Sequence, residues 1–181
     1  TFDPSDSQRD RRMAIHNAAR GQPLSLSSIG LPEEQEIWSG GGGLYSTAGD
    51  YLRFMRALLR GGELDGERIL RPETVKLAFT DHLQGAPLPP DGTHSAVPEL
   101  SNDVPALPFK QGFGLGFNLM LEDIPGMRRA GSGNWAGLCN SYFWIDHASG
   151  IAATLMTQIL PFFDDHVVQT LLGFEAAVYA A

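Results

Sequence analysis

The stretch from residue 138 to residue 158 constrains the fold more than any other part of the sequence. Residues 138–146 and 151–158 read as two apolar strands, and they are joined by Asp146-His147-Ala148-Ser149-Gly150. So short a link cannot carry a crossover, so the two strands form an antiparallel hairpin. Immediately before them runs the glycine-punctuated stretch Arg128-Arg129-Ala130-Gly131-Ser132-Gly133-Asn134-Trp135-Ala136-Gly137. A loop of this kind entering a strand can hold backbone N–H groups open at the edge of a cleft.

The rest of the chain supplies helices to pack on such a sheet. Thr47 precedes Asp50 by three positions, a capping-box-like spacing at a helix N-terminus. Tyr51, Leu52, Met55, Leu58 and Leu59 follow at helical spacing, and Gly61-Gly62 stops the run. Pro72 suits the first turn of a second, short helix through about Phe79. Asp164 or Asp165 can cap a last helix with an apolar stripe of Val167, Val168, Leu171, Leu172 and Ala176. Residues 1–43, broken by Pro23 and Pro32, read as surface connection. Residues 83–108 hold six of the twelve prolines and read as a long loop. Residues 113–121 read as a further strand, with a turn around Asp123-Ile124-Pro125-Gly126. The expected class is α+β, an antiparallel sheet flanked by helices. Helices and loops are expected over residues 1–110, and antiparallel strands with the C-terminal helix over 111–181.

Composition excludes several functions. A net charge of -8 argues against a nucleic-acid partner, which needs a basic face. The apolar stretches are too short for a membrane span. Cys139 is the single cysteine, so neither an internal disulfide nor a cysteine metal cluster can form. The histidines at 16, 82, 94, 147 and 166 include no pair at i, i+4, so neither a metal nor another cofactor is expected. His166 reads as part of a helix cap, and His147 as a solvated turn residue. The start, Thr1-Phe2-Asp3-Pro4-Ser5-Asp6, has no methionine or signal-like pattern and is expected to be an internal cut. Cytoplasmic and periplasmic locations both stay open.

Three glycine-rich sites invite chemistry. After Gly40 to Gly43 come Leu44-Tyr45, where a phosphate loop needs lysine and a hydroxyl residue, so a backbone turn is expected. Ser132 in Gly131-Ser132-Gly133 has Ala130 and Asn134 where a nucleophile elbow needs glycines, and a strand follows in place of a helix. A structural serine is expected there. Trp135-Ala136-Gly137-Leu138 carries more. Trp135 can wall a cleft, Gly137 lets a ligand approach the backbone, and the Leu138 N–H can donate to a developing oxyanion. The competing reading is a glycine-rich hairpin entry with Trp135 buried.

Residues 40–54, Gly-Gly-Gly-Gly-Leu-Tyr-Ser-Thr-Ala-Gly-Asp-Tyr-Leu-Arg-Phe, resemble the segment G-G-G-G-L-x-S-T-A-x-D-x-x-R-F of serine β-lactamase-related proteins. Residues 131–146 with 151–158 resemble the strand pair that carries the third active-site motif of that superfamily. The resemblance implies a β-lactamase/transpeptidase-like fold. Where class C β-lactamases have Lys-Thr-Gly, this chain has Trp135-Ala136-Gly137, the Trp-x-Gly pattern of family VIII carboxylesterases and related acyltransferases. Trp135 replaces the lysine that helps hold the β-lactam carboxylate, so ester hydrolysis or acyl transfer is favoured over β-lactam hydrolysis or D-amino-acid peptidase activity.

The family mechanism also needs Ser-x-x-Lys and Tyr-x-Asn or Tyr-x-Ser. Neither Lys76 nor Lys110 has a serine three positions before it, and neither tyrosine motif occurs. The resemblance therefore implies the C-terminal part of a serine hydrolase about twice this length. On that basis the chain supplies the Leu138 N–H as one oxyanion donor and Trp135, Ala136 and Gly137 as substrate-binding wall. The partners implied are a small ester or amide substrate and the N-terminal part of the same protein. A homodimer is the other expectation, because unpaired strand edges and apolar surface favour association. A non-catalytic binding module using the same cleft is the reading from a different class.

Overall fold

The computed structural model describes residues 1–19, 22–30 and 37–181. Pro32, read above as a breaker, lies outside the described residues. Near the N-terminus, a single helical turn, α1 (Asp6–Arg9), precedes two short strands, β1 (His16–Asn17) and β2 (Ser25–Leu26). Helix α2 (Ala48–Leu59) begins where Thr47 Oγ1 accepts the Asp50 N–H at 3.1 Å. It ends at Gly61 and Gly62, both at positive φ. A Cβ on Gly62 would sit 2.2 Å from Leu70 O, so only glycine fits there. The hairpin of β3 (Glu63–Leu64) and β4 (Glu67–Arg68) follows, then α3 (Pro72–Ala78) with Pro72 in its first turn.

The remainder builds a five-stranded sheet from β5 (Gln111–Phe113), β6 (Asn118–Met120), β7 (Gly133–Gly137), β8 (Ser141–Asp146) and β9 (Ile151–Leu155). The strands lie in sequence order and every neighbouring pair is antiparallel. After β10 (Ile159–Leu160), the chain closes with α4 (Asp165–Ala180), whose N-cap is Asp164, accepting from the N–H groups of His166 and Val167. The fold is α+β, an antiparallel sheet flanked by helices, and the expected hairpin link is residues 147–150, Asp146 being the last residue of β8.

One face of the sheet packs on α2 and α3. Met55, Leu58, Val75, Phe117, Leu119 and Ile145 form the core there, all nearly inaccessible to water. Gly133 permits that close approach, because a Cβ on it would meet the Phe79 ring at 2.6 Å. The opposite face carries α4. Trp144 is fully buried against Phe174, and the buried Arg128 guanidinium lies 5.1 Å over the Trp144 ring. Arg128 donates Nε–H and Nη2–H bonds of 2.7 and 2.6 Å to the two carboxylate oxygens of Glu175. Tyr179 Oη donates to Asp146 at 2.9 Å.

Strand boundaries differ from expectation in four places, one being that the strand expected over residues 151–158 ends at Leu155. The single strand expected over residues 113–121 is two, β5 and β6. Gly114 N–H closes the turn onto Phe117 O at 2.8 Å, and Gly116 takes φ 89°. The strand expected from Leu138 begins at Ser141, and Gly133–Gly137 is itself a strand. Residues 138–140 turn between them, with Asn140 at φ 59°. Finally, residues 1–43 are more than surface connection, since β1 pairs parallel to β10 and antiparallel to β2.

Candidate functional site

The outer end of β7 has a strand on one side only. All five of its residues pair with β8, whereas β6 covers Gly133 and Asn134 alone. Trp135, Ala136 and Gly137 therefore form a bare edge. Gly137 C=O accepts the Asn140 N–H at 3.0 Å on the side of the turn. In a trans peptide the N–H points opposite to the C=O, so the Leu138 N–H is directed away from β8, out of the open edge. The ladder agrees. Met120 N–H donates to Ser132 O at 3.0 Å, which aims the even-numbered peptide groups of β7, including Ala136, towards the β6 side.

The side chains beside this donor are half-exposed. Leu138 is 49% and Trp135 50% exposed, so Trp135 is not the buried tryptophan of the competing reading. Trp135 is held edge-to-face on Phe113 with centroids 5.2 Å apart. Alternation places Trp135 and Gly137 on one face and Ala136 on the other. Gly137 is not at positive φ, and a Cβ there would meet Ser141 O at an ordinary 3.9 Å. The fold alone does not require glycine at 137, in contrast to positions 62 and 133.

Asn140, a residue that sequence reasoning passed over, anchors the turn. It is fully buried. Its Nδ2 donates to Ile159 O at 2.9 Å and Pro161 O at 2.7 Å. Its Oδ1 accepts from Tyr142 Oη at 2.8 Å and Asp164 N–H at 3.2 Å. The signal for it in the sequence was slight: asparagine tolerates the left-handed region in tight turns. Thr157 Oγ1 donates to Cys139 O at 2.7 Å and so adds a second tether. Tyr142 has its phenol pushed up to about 12, first by burial and then by the nearby Asp164 charge.

Other candidates fall away on geometry. Ser132 is 0% exposed, so its hydroxyl has no route to a substrate. Burial pushes the Cys139 thiol up, away from the thiolate a nucleophile needs. His147 is exposed in the turn, as expected, and also shares a hydrogen bond with Leu58 O at 3.2 Å and stands edge-on to Phe79, tying the β8–β9 turn to α2.

Over residues 1–178 the chain matches the family model described as Beta-lactamase. The chain belongs to the Beta-lactamase family. An uncharacterized protein of Mycobacterium tuberculosis is 34% identical over 87% of this chain and 38% of its own length. Monacolin J acid methylbutanoyltransferase of Aspergillus terreus is 30% identical over 91% of this chain and 40% of its own. A mutant of simvastatin synthase from Aspergillus terreus superposes with a TM-score of 0.78 at 26% identity, covering 97% of this chain and 43% of that one. The chain thus spans less than half the length of these family relatives. Among the described residues, no helix is long and apolar enough to cross a membrane.

Proposed function

We propose that residues 1–181 are the oxyanion-strand portion of a serine hydrolase that works through an acyl-enzyme, as a carboxylesterase or transesterase. The observation that supports this most directly is the Leu138 N–H, directed out of a bare strand edge beside the half-exposed Trp135. A serine oxygen attacks the ester carbonyl, and the Leu138 N–H donates to the oxygen on which negative charge develops. Collapse expels the alcohol and leaves the acyl-enzyme. Water then releases an acid, or a second alcohol takes the acyl group. The serine and its lysine come from a Ser-x-x-Lys motif, which residues 1–181 lack. Trp135, Ala136 and Gly137 wall the acyl or alcohol group of a small ester or amide.

Trp135 also supports the choice among reactions. An indole offers no cation to a β-lactam carboxylate, while its face suits an apolar acyl chain. The name of the Aspergillus terreus relative, a methylbutanoyltransferase, is consistent with that choice.

The test is reconstitution with an upstream segment that carries Ser-x-x-Lys. The mixture is expected to hydrolyse p-nitrophenyl esters, with nitrocefin turned over poorly or not at all. Leu138→Pro, which deletes the N–H, is expected to lower kcat roughly 10²–10³-fold. Ester hydrolysis by residues 1–181 alone that Ser132→Ala abolishes would overturn this division of roles. An upstream sequence without Ser-x-x-Lys would favour a non-catalytic binding module.

A further inference from the structure

Strand β5 ends on an aromatic residue set between two glycines, Gly112-Phe113-Gly114. The C-terminal end of α3 explains both glycines. A Cβ on Gly112 would sit 2.5 Å from Asp81 Oδ1, and one on Gly114 would strike the Ala78 carbonyl oxygen. Hydrogen bonds fix the same contact. Asp81 Oδ1 accepts the Phe113 N–H at 3.0 Å and the Leu83 N–H at 3.1 Å. Phe113 O accepts the His82 N–H at 2.9 Å, and Ala78 O accepts the Leu115 N–H at 2.9 Å. The Phe113 backbone is thus tied to the end of α3 through both its donor and its acceptor.

Core packing does not account for the ring on that backbone. Phe113 is half-buried and stands outside the cluster of Met55, Leu58, Val75, Phe117, Leu119 and Ile145. Its ring partner among the described residues is Trp135, with centroids 5.2 Å apart and planes at 82°. Trp135 needs such a partner. Strand β6 pairs with β7 only as far as Asn134, and the indole beyond it is half-exposed. A half-exposed side chain at a strand end samples several rotamers unless a neighbour selects one.

We propose that Phe113 is a positioning residue for acyl-chain selectivity, its ring fixing the Trp135 indole as a wall for the acyl group. The proposal rests on the serine-hydrolase reading above and adds to it a residue from a different strand. An edge-to-face pair favours its own geometry about two- to tenfold. An indole so fixed offers the acyl chain a surface already in place. A loose one would have to be ordered by each substrate, at a cost in affinity. The wall meets the chain and not the reacting carbonyl, so it serves ground state and transition state alike. Its effect therefore falls on KM and leaves kcat steady.

The test combines an upstream segment carrying Ser-x-x-Lys with residues 1–181 containing 5-fluorotryptophan. Trp38, Trp135 and Trp144 then give three fluorine resonances, and Trp135→Phe assigns one of them. Phe113→Leu is expected to shift the Trp135 resonance. That of Trp144, buried against Phe174, is expected to stay in place and so to report an intact fold. In the same variant, KM for p-nitrophenyl hexanoate is expected to rise about two- to tenfold with kcat steady. p-Nitrophenyl acetate, which offers a single methyl to the wall, is expected to respond far less. Phe113→Tyr keeps the ring and is expected to restore both the resonance and the selectivity. An unmoved Trp135 resonance, a loss confined to kcat, equal losses for the two esters or failure of the tyrosine variant to rescue would each overturn the proposal. An unaltered mixture that hydrolyses no ester would refute the reaction itself, and the proposal with it.

Discussion

Replacing Asn140 by alanine tests whether the Leu138 turn is held by one buried side chain. The native amide satisfies four groups at once: two carbonyls (Ile159, Pro161), the Tyr142 hydroxyl and the Asp164 N–H. Orphaning a buried polar group costs about 1–3 kcal/mol, and the low end applies where water enters the space the side chain vacates. Four groups at that low end give a loss of about 4 kcal/mol. Alanine at φ 59° adds about 1 kcal/mol of backbone strain that glycine would not. Urea unfolding followed by far-ultraviolet circular dichroism should therefore rank wild type above Asn140→Gly, and Asn140→Gly above Asn140→Ala. Tyr142→Phe, which removes one of the four partners, should cost far less than either. A loss below about 1 kcal/mol for Asn140→Ala would refute the anchoring role, because it falls beneath the cost of a single orphaned group. Glycine less stable than alanine would refute the assignment of strain at this position.

Three further outcomes follow from the same structure. Glu175→Gln breaks the buried bidentate pair with Arg128 and is expected to cost about 3–5 kcal/mol in chemical denaturation, most of it recovered when Arg128→Met is added to Glu175→Leu. Burial raises the Asp146 carboxyl, but hydrogen bonds from Arg129 N–H, Ser149 and Tyr179 outweigh it and hold the group below its ordinary range. Its stabilisation is thus complete above the unfolded value and is lost as pH falls through the folded one. Asp146→Asn should flatten the acid limb of a stability profile below about pH 4. Gly137→Ala should leave the melting temperature nearly unchanged, since the added Cβ meets ordinary contacts, yet lower acyl transfer in the reconstituted protein. A large thermal shift in that variant would show that the fold, not a ligand, demands the glycine.

What the sequence disclosed was whatever short-range chemistry decides. The caps of α2 and α4 were legible because Thr47 and Asp164 act on N–H groups within three residues. The β8–β9 hairpin was legible because so short a link leaves one option. Strand β7 was not, since Gly133, Ala136 and Gly137 have poor strand propensity and only pairing with β8 makes them extended. The break between β5 and β6 escaped for a related reason. A Cβ on Gly114 would lie 2.0 Å from Ala78 O, a tertiary contact with α3 that no local pattern encodes.

The same distinction separates the two parts of the candidate site. Trp135, Ala136, Gly137 and Leu138 could be singled out because their residue types in that order already limit the chemistry. Asn140 could not, because two of its four partners are carbonyls at 159 and 161, and a third is the N–H that opens α4. The groups that meet the substrate in the proposed reaction are therefore written locally, while the group that fixes their direction is written across the fold. A substitution at Asn140 should disturb the direction of the Leu138 N–H while leaving the chemical identity of every substrate-facing group intact. In the reconstituted protein that predicts a fall in kcat with KM nearly constant, since a misdirected donor forfeits charge stabilisation that arises only in the transition state. A variant that loses KM in place of kcat would instead place Asn140 among the groups that shape the binding wall.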